Sequence, residues 1–190
     1  GPDGNLYVTG SNSDNVVRYN GTTGAFINVF VSAGSGGLDR PEVLVFGPDG
    51  NLYVSSSLTN QVLRYNGATG AFINAFVQAG GGGLSFPTGL TFGPDGNLYV
   101  GSANTDQVLR YNGTTGAFVD AYIPAAAGGL DRPTGVTFGA DGKLYVTTAD
   151  TSMVLRFDGT SGGEGDVDNF TLDLDANQTL TLRVTSLTEP

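Results

Sequence analysis

The sequence FGPDGNLYV stands at residues 46–54 and again, letter for letter, at 92–100, and FGADGKLYV follows at 138–146. The chain also opens inside this phrase, so its turn begins at Gly1, Gly47, Gly93 and Gly139, 46 residues apart. A period of that length marks stacked supersecondary units, none of which buries its apolar surface alone.

One unit, read over residues 87–133, divides into four β-like stretches separated by turn signals: a (87–95, PTGLTFGPD), b (96–103, GNLYVGSA), c (106–113, DQVLRYNG) and d (116–124, GAFVDAYIP). Gly96 supplies the positive φ that a tight a-to-b hairpin requires, and Asn112, Gly113 and Gly116 form the c-to-d connection. Each unit is predicted to be a four-stranded antiparallel meander. Its strands carry apolar residues on both faces, as in Leu98-Tyr99-Val100 and Val108-Leu109-Arg110-Tyr111, so each sheet needs a neighbour on each side. Radial stacking of such meanders is a β-propeller, and the expected class is all-β with a 46-residue repeat and about four blades in this chain. Every Phe and Tyr except Phe86 and Phe170 recurs in register, which assigns them to packing between blades.

Composition agrees. Gly (31 residues) accompanies many Ser, Thr, Asn and Asp, and the apolar residues are mostly Val, Leu, Phe and Tyr. Acidic side chains outnumber basic ones 18 to 8, a net charge of −10 that repels nucleic-acid phosphate and anionic lipid, so neither nucleic acid nor membrane insertion is expected. The absence of Cys and His removes thiolate chemistry and the commonest general base and metal ligand; no cofactor and no metal are expected. Residue 1 falls inside the repeated turn with no Met before it, a start expected of a trimmed, processed or incomplete chain.

The unit PTGLTFGPDGNLYVGSANTDQVLRYNG (87–113) resembles the NHL-type, YVTN-like bacterial propeller repeat, and is similar to the repeats of virginiamycin B lyases and gluconolactonase-like propellers. It lacks the Trp and His of WD repeats. The periodic text covers residues 1–159; residues 160–165 are rich in Gly and read as a linker, and 166–190 form C-terminal strands. The segment DVDNFTLDLDANQTLTLRV (166–184) resembles the start of a bacterial pre-peptidase C-terminal domain, a resemblance that implies an extracellular or cell-surface bacterial protein. The alternative is a latch: residues 170–174 supply strand d of the last blade and 179–185 supply strand a of the first, closing a four-bladed ring. Without that closure the chain is part of a larger ring, or completes itself by association through open faces and strand edges.

Function is sought where the copies differ. In an up-and-down meander the a-to-b and c-to-d turns share one end and the b-to-c and d-to-a loops share the other. The second set varies, and it holds Asp14, Asp39, Arg40, Phe86, Asp106, Asp131, Arg132 and Asp150. Drift after duplication gives the same pattern as selection for a ligand, and Asp-Arg pairs also bridge blades. Glu42 takes the place of Thr88 and Thr134 at the start of strand a, where a side chain is able to face a central channel. Asp49, Asp95 and Asp141 recur in the a-to-b turn and are expected to bond the backbone. Arg18, Arg64, Arg110 and Arg156 recur in strand c and are expected to anchor one blade to the next. The triplets at Asn20, Asn112, Asn169 and Asn177 match the N-glycosylation pattern, two of them as the repeated turn.

Three readings of function follow. The first is a non-catalytic extracellular scaffold that binds a protein or glycan through the b-to-c and d-to-a face. The second is a lyase or metal-dependent lactonase-like enzyme; the lyase family uses a His and the lactonase family a Glu-containing metal site, whereas this chain has no His and its Glu residues are Glu42, Glu164 and Glu189. The third is self-assembly through blades or terminal strands.

Overall fold

The computed structural model describes residues 1–158 and 168–170. It is all-β. The first sheet holds β1 (Leu6–Gly10), β2 (Asn15–Tyr19) and β3 (Phe26–Val31); the second holds β4 (Pro41–Phe46), β5 (Leu52–Ser56), β6 (Gln61–Tyr65) and β7 (Phe72–Val77). The third holds β8 (Pro87–Phe92), β9 (Leu98–Ser102), β10 (Gln107–Tyr111) and β11 (Phe118–Ile123). The fourth holds β12 (Pro133–Phe138), β13 (Leu144–Thr148), β14 (Val154–Phe157) and β15 (Asp168–Phe170). Neighbouring strands are antiparallel and sequential in every sheet, as meanders require.

The turns follow from their residues. Gly50 (φ 75°) closes the β4–β5 hairpin, and the Asp49 carboxylate accepts from the backbone N–H of Asn51 (3.1 Å), from Asn51 Nδ2 (2.7 Å) and from the Tyr53 hydroxyl (3.0 Å). In the β6–β7 connection the Asn66 side chain accepts from the N–H groups of Ala68 (3.0 Å) and Thr69 (2.9 Å), an Asx turn. Between blades, short 3-10 turns at Ser35–Gly37, Gly81–Gly83 and Ala127–Gly129 interrupt the long connections.

Consecutive sheets pack face to face and bury the apolar residues on the faces that they share. Between the first two sheets, Leu52, Val54, Leu63 and Tyr65 meet Tyr7, Val16, Phe30 and Leu38. The same sets meet again 46 residues on, and once more after that. Each central Tyr sits between two rings: Tyr53 is edge-on to Phe76 of its own sheet (4.9 Å) and to Phe92 of the next (5.0 Å). Three interfaces thus join four sheets in series, and among the described residues no core cluster joins the fourth sheet to the first.

The first sheet has no inner strand among the described residues. In the fourth, β15 pairs with β14 as Val154↔Phe170 and Arg156↔Asp168. The expected latch residues 171–174 and 179–185, like most of the C-terminal strand region, lie outside the described residues.

The recurrent arginines differ from expectation. Arg18, Arg64 and Arg110 bond within a sheet: Arg64 Nε donates to Asn74 (3.2 Å), its guanidinium pairs with Asp49 (3.6 Å), and it lies over the Phe76 ring at 5.4 Å. The antiparallel register Arg64↔Asn74 brings strand d rather than the next blade within reach.

Candidate functional site

The two ends of the sheets differ in chemistry. At the end bearing the a-to-b turns, each blade repeats an Asp–Tyr hydrogen bond, and in the first three blades an arginine pairs with the same carboxylate. Hydrogen bonds, chiefly from Asn5, hold Asp3 down at about 2 against burial that opposes the shift. Burial raises Tyr99 to about 12, with its bond to Asp95 adding to the shift and Arg110 opposing it. The same arrangement appears at Asp49/Tyr53, Asp95/Tyr99 and Asp141/Tyr145, so this end is framework.

At the other end, a clamp joins each blade to the next. The Asp14 carboxylate accepts from the N–H of Arg40 (2.8 Å), Asn60 from that of Phe86 (2.8 Å) and Asp106 from that of Arg132 (2.9 Å), always 26 residues apart. The carbonyls of the same three residues accept from Ser57, Ala103 and Ala149 of the following blade (3.2, 3.1 and 3.0 Å). Arg40, Phe86 and Arg132 are left-handed, at φ 51°, 54° and 44°, as are Asp14, Asn60 and Asp106 on the opposing loop. A non-glycine residue is strained in that region and persists only where its surroundings fix it. Here both backbone polar groups are held, one from each neighbouring blade.

Three of the sequence-predicted residues come together at these strained positions. The Arg40 Nε lies 3.1 Å from Glu42 Oε1, and its guanidinium carbon lies 5.2 Å from the centroid of the Phe86 ring. Arg40 is half exposed, while Glu42 and Phe86 are half-buried. The cluster is a cation over an aromatic ring with a carboxylate beside it, a surface that offers guanidinium donors, carboxylate acceptors and an apolar ring. At the next junction Arg132 instead pairs with Asp150 (3.2 Å), and both side chains are about half exposed.

The remaining predicted residues stand apart from this cluster. Asp14 and Asp106 serve the clamp. Asp39 and Asp131 are exposed and half-buried, and neither carboxylate is hydrogen-bonded or ion-paired among the described residues; the backbone of Asp39 is held by Ser56 Oγ (3.0 and 3.2 Å). Thr88, in the register of Glu42, is buried and donates to the carbonyl of Pro133 at 2.6 Å, so the Glu42 position is a bonding site between inner strands elsewhere in the chain. Asn60 was not singled out from the sequence. Its signal was the constant 26-residue offset from Asp14 to Arg40 and from Asp106 to Arg132, which Asn60 and Phe86 share. No group of three carboxylates able to hold a metal ion occurs among the described residues, and no helix there is long and apolar enough to cross a membrane.

No family model and no curated protein sequence matches the chain. Solved structures do. Virginiamycin B lyase from Staphylococcus aureus superposes over 90% of this chain and 53% of its own, with a TM-score of 0.63 and 18% identity. A nidogen/laminin complex matches over 83% of this chain and 56% of its own (TM-score 0.64, 23% identity), and a putative gluconolactonase over 80% and 56% (TM-score 0.61, 20% identity). The chain therefore spans about half the length of the structures it matches. At these identities the likeness concerns fold, and together with the serial stacking of antiparallel meanders it identifies the chain as four consecutive blades of a β-propeller.

Proposed function

We propose that this chain is the ligand-binding part of an extracellular propeller scaffold, working through the loop face that carries Arg40, Glu42 and Phe86. The observation that carries this reading is the convergence of those three side chains on two strained, doubly anchored positions. The framework at the opposite end is nearly identical from blade to blade, whereas here Phe86 stands where the other junctions have Arg. A guanidinium stacked on a ring and edged by a carboxylate suits a ligand with a flat apolar surface and a hydrogen-bonding rim, such as a sugar ring or a peptide side chain. The nidogen/laminin structure is a protein complex, which favours a protein ligand.

The second reading is an enzyme, favoured by the lyase and gluconolactonase neighbours. A histidine-to-alanine form of the lyase is described as catalytically inactive, and none of the 190 residues here is a histidine, so a lyase of that kind would need the group from elsewhere.

The test is a glycan and peptide array probed with the labelled chain, then repeated with Arg40→Ala and Phe86→Ala. Binding that falls about tenfold in both variants, with unchanged melting temperature, is the expected result. Ligands retained at full strength by both variants would remove this face from the function.

A further inference from the structure

At position 58 the junction between the first two blades departs from the later ones. In the b-to-c loops, Leu58 shares its register with Asn104 and Asp150, 46 residues apart. The backbone contact is common: the Leu58 N–H donates to the Asp39 carbonyl (3.4 Å), and the Asn104 N–H to that of Ser85, which has the register of Asp39 (3.3 Å). The side chains differ. Asn104 Nδ2 donates to the Ser85 hydroxyl (3.3 Å) and Asp150 pairs with Arg132 (3.2 Å), so at both later junctions this position gives a polar partner to the connection entering its own blade.

Leucine has no polar group to give, and two residues of the connection go without that partner. Arg40 pairs instead with Glu42 (3.1 Å) and lies over the Phe86 ring (5.2 Å). The Asp39 carboxylate has neither hydrogen bond nor ion pair among the described residues; only its backbone is held, by Ser56. Leu58 itself is 56% exposed. A lone exposed leucine carries no meaning, but this one replaces a polar residue beside a carboxylate that is left open. Both blades of this junction and the connection between them are described, so the exposure is that of a completed junction and owes nothing to a chain end.

The patch thus joins an aliphatic side chain, a carboxylate ready to accept, and a guanidinium whose charge Glu42 already balances. Leu58 offers a sugar neither a hydrogen-bonding group nor a ring face. To a protein side chain it offers apolar area, and Asp39, on a chain of net charge −10, attracts a cation. We propose that the partner at this face is a protein segment presenting an apolar side chain with a Lys or Arg one or two positions away, the apolar group on Leu58 and the cation on Asp39. The inference rests on the ligand-binding reading of this face and narrows it to one class of partner, with Leu58 and Asp39 determining specificity.

The experiment is an array of short synthetic peptides in three sets, carrying Leu-Lys, Leu-Glu or Ser-Lys, read beside a glycan array with the full chain and with Leu58→Asn and Asp39→Asn. Both positions are exposed, so both variants are expected to keep the wild-type melting temperature. The Leu-Lys set is expected to bind about tenfold more tightly than either other set. Leu58→Asn is expected to abolish the preference over Ser-Lys, and Asp39→Asn the preference over Leu-Glu. Preferences unchanged in the variants overturn the inference. Glycans retained in place of peptides, with loss in Arg40→Ala but not in Leu58→Asn, overturn it and leave the ligand-binding reading standing, whereas retention of no probe overturns both. An independent readout is Leu58→Cys in this cysteine-free chain. Its thiol is expected to alkylate at close to the rate of a free cysteine peptide, and strong protection would show the position covered by the chain itself and overturn the site.

Discussion

Arg40 and Arg132 share one register, one strained backbone conformation and one pair of backbone anchors, yet their side chains have different company. Arg40 lies on Phe86 beside Glu42, and Arg132 pairs with Asp150 across solvent. The anchors belong to stability, whereas the proposed function assigns the side chains to recognition, and substitution separates the two. Asp106→Ala leaves the Arg132 N–H without its acceptor and is expected to lower stability by about 1–2 kcal/mol in urea unfolding. Asp150→Ala removes only an exposed ion pair and is expected to change it by less than about 0.5 kcal/mol. Equal effects of the two would assign the same role to both carboxylates. The framework end sets the pH limits. Asp3 has its native value at about 2, below the ordinary 3.8, so its contribution is complete above 3.8 and disappears as the pH falls towards 2. Tyr99 is raised from 10.0 to about 12, so its contribution is complete below 10 and is lost as the pH climbs towards 12. Melting temperature against pH is therefore expected to fall at both extremes, with the acid limb weakened in Asp3→Asn and the alkaline limb weakened in Tyr99→Phe.

At the scale of elements, two glycines of similar φ have unlike reasons for being glycine. Gly96 (φ 77°) has open space where a Cβ would stand, so Gly96→Ala meets only backbone strain, about 1–2 kcal/mol. Gly82 (φ 65°) has the Phe118 ring 2.1 Å from that point, so Gly82→Ala must also displace a strand-d aromatic and is expected to lose about 2–4 kcal/mol. Urea midpoints of the two variants measure the difference. The strands and the hairpin glycines were legible because their determinants are local: short apolar runs such as Leu98-Tyr99-Val100, Pro-Asp-Gly-Asn, Asn-Gly. The meander of the unit 87–133 could be read stretch by stretch. The 3-10 turn at Gly81–Gly83 and the clamp from Asn60 to Phe86 were not, because each is decided by a contact between blades. Arg64 was placed on the wrong partner for a related reason. Register shifts interrupt β6–β7 on both sides of Arg64, and only the folded register shows that Asn74 lies opposite. At the candidate site, Arg40 and Phe86 were legible as variable loop residues, but their stacking depended on the left-handed backbone at both positions, which no residue type announced.

At the scale of the whole molecule, the described residues of four blades bury three interfaces and leave Leu6 and Val8 on the leading face of the first blade exposed, an apolar strip on a chain of net charge −10. Stability in such a serial stack is a sum of units and interfaces, so a residue's importance depends on whether its blade has a neighbour on that side. Leu6 and Leu52 test this most directly, being the same residue in the same register, 54% exposed in one blade and fully buried in the next. The decisive measurement is urea unfolding of Leu6→Ala and Leu52→Ala at a chain concentration below any self-association. The account predicts a loss of about 2–4 kcal/mol for Leu52→Ala and under about 1 kcal/mol for Leu6→Ala. Equal losses would contradict it, because they would mean that the single chain already covers its own leading face.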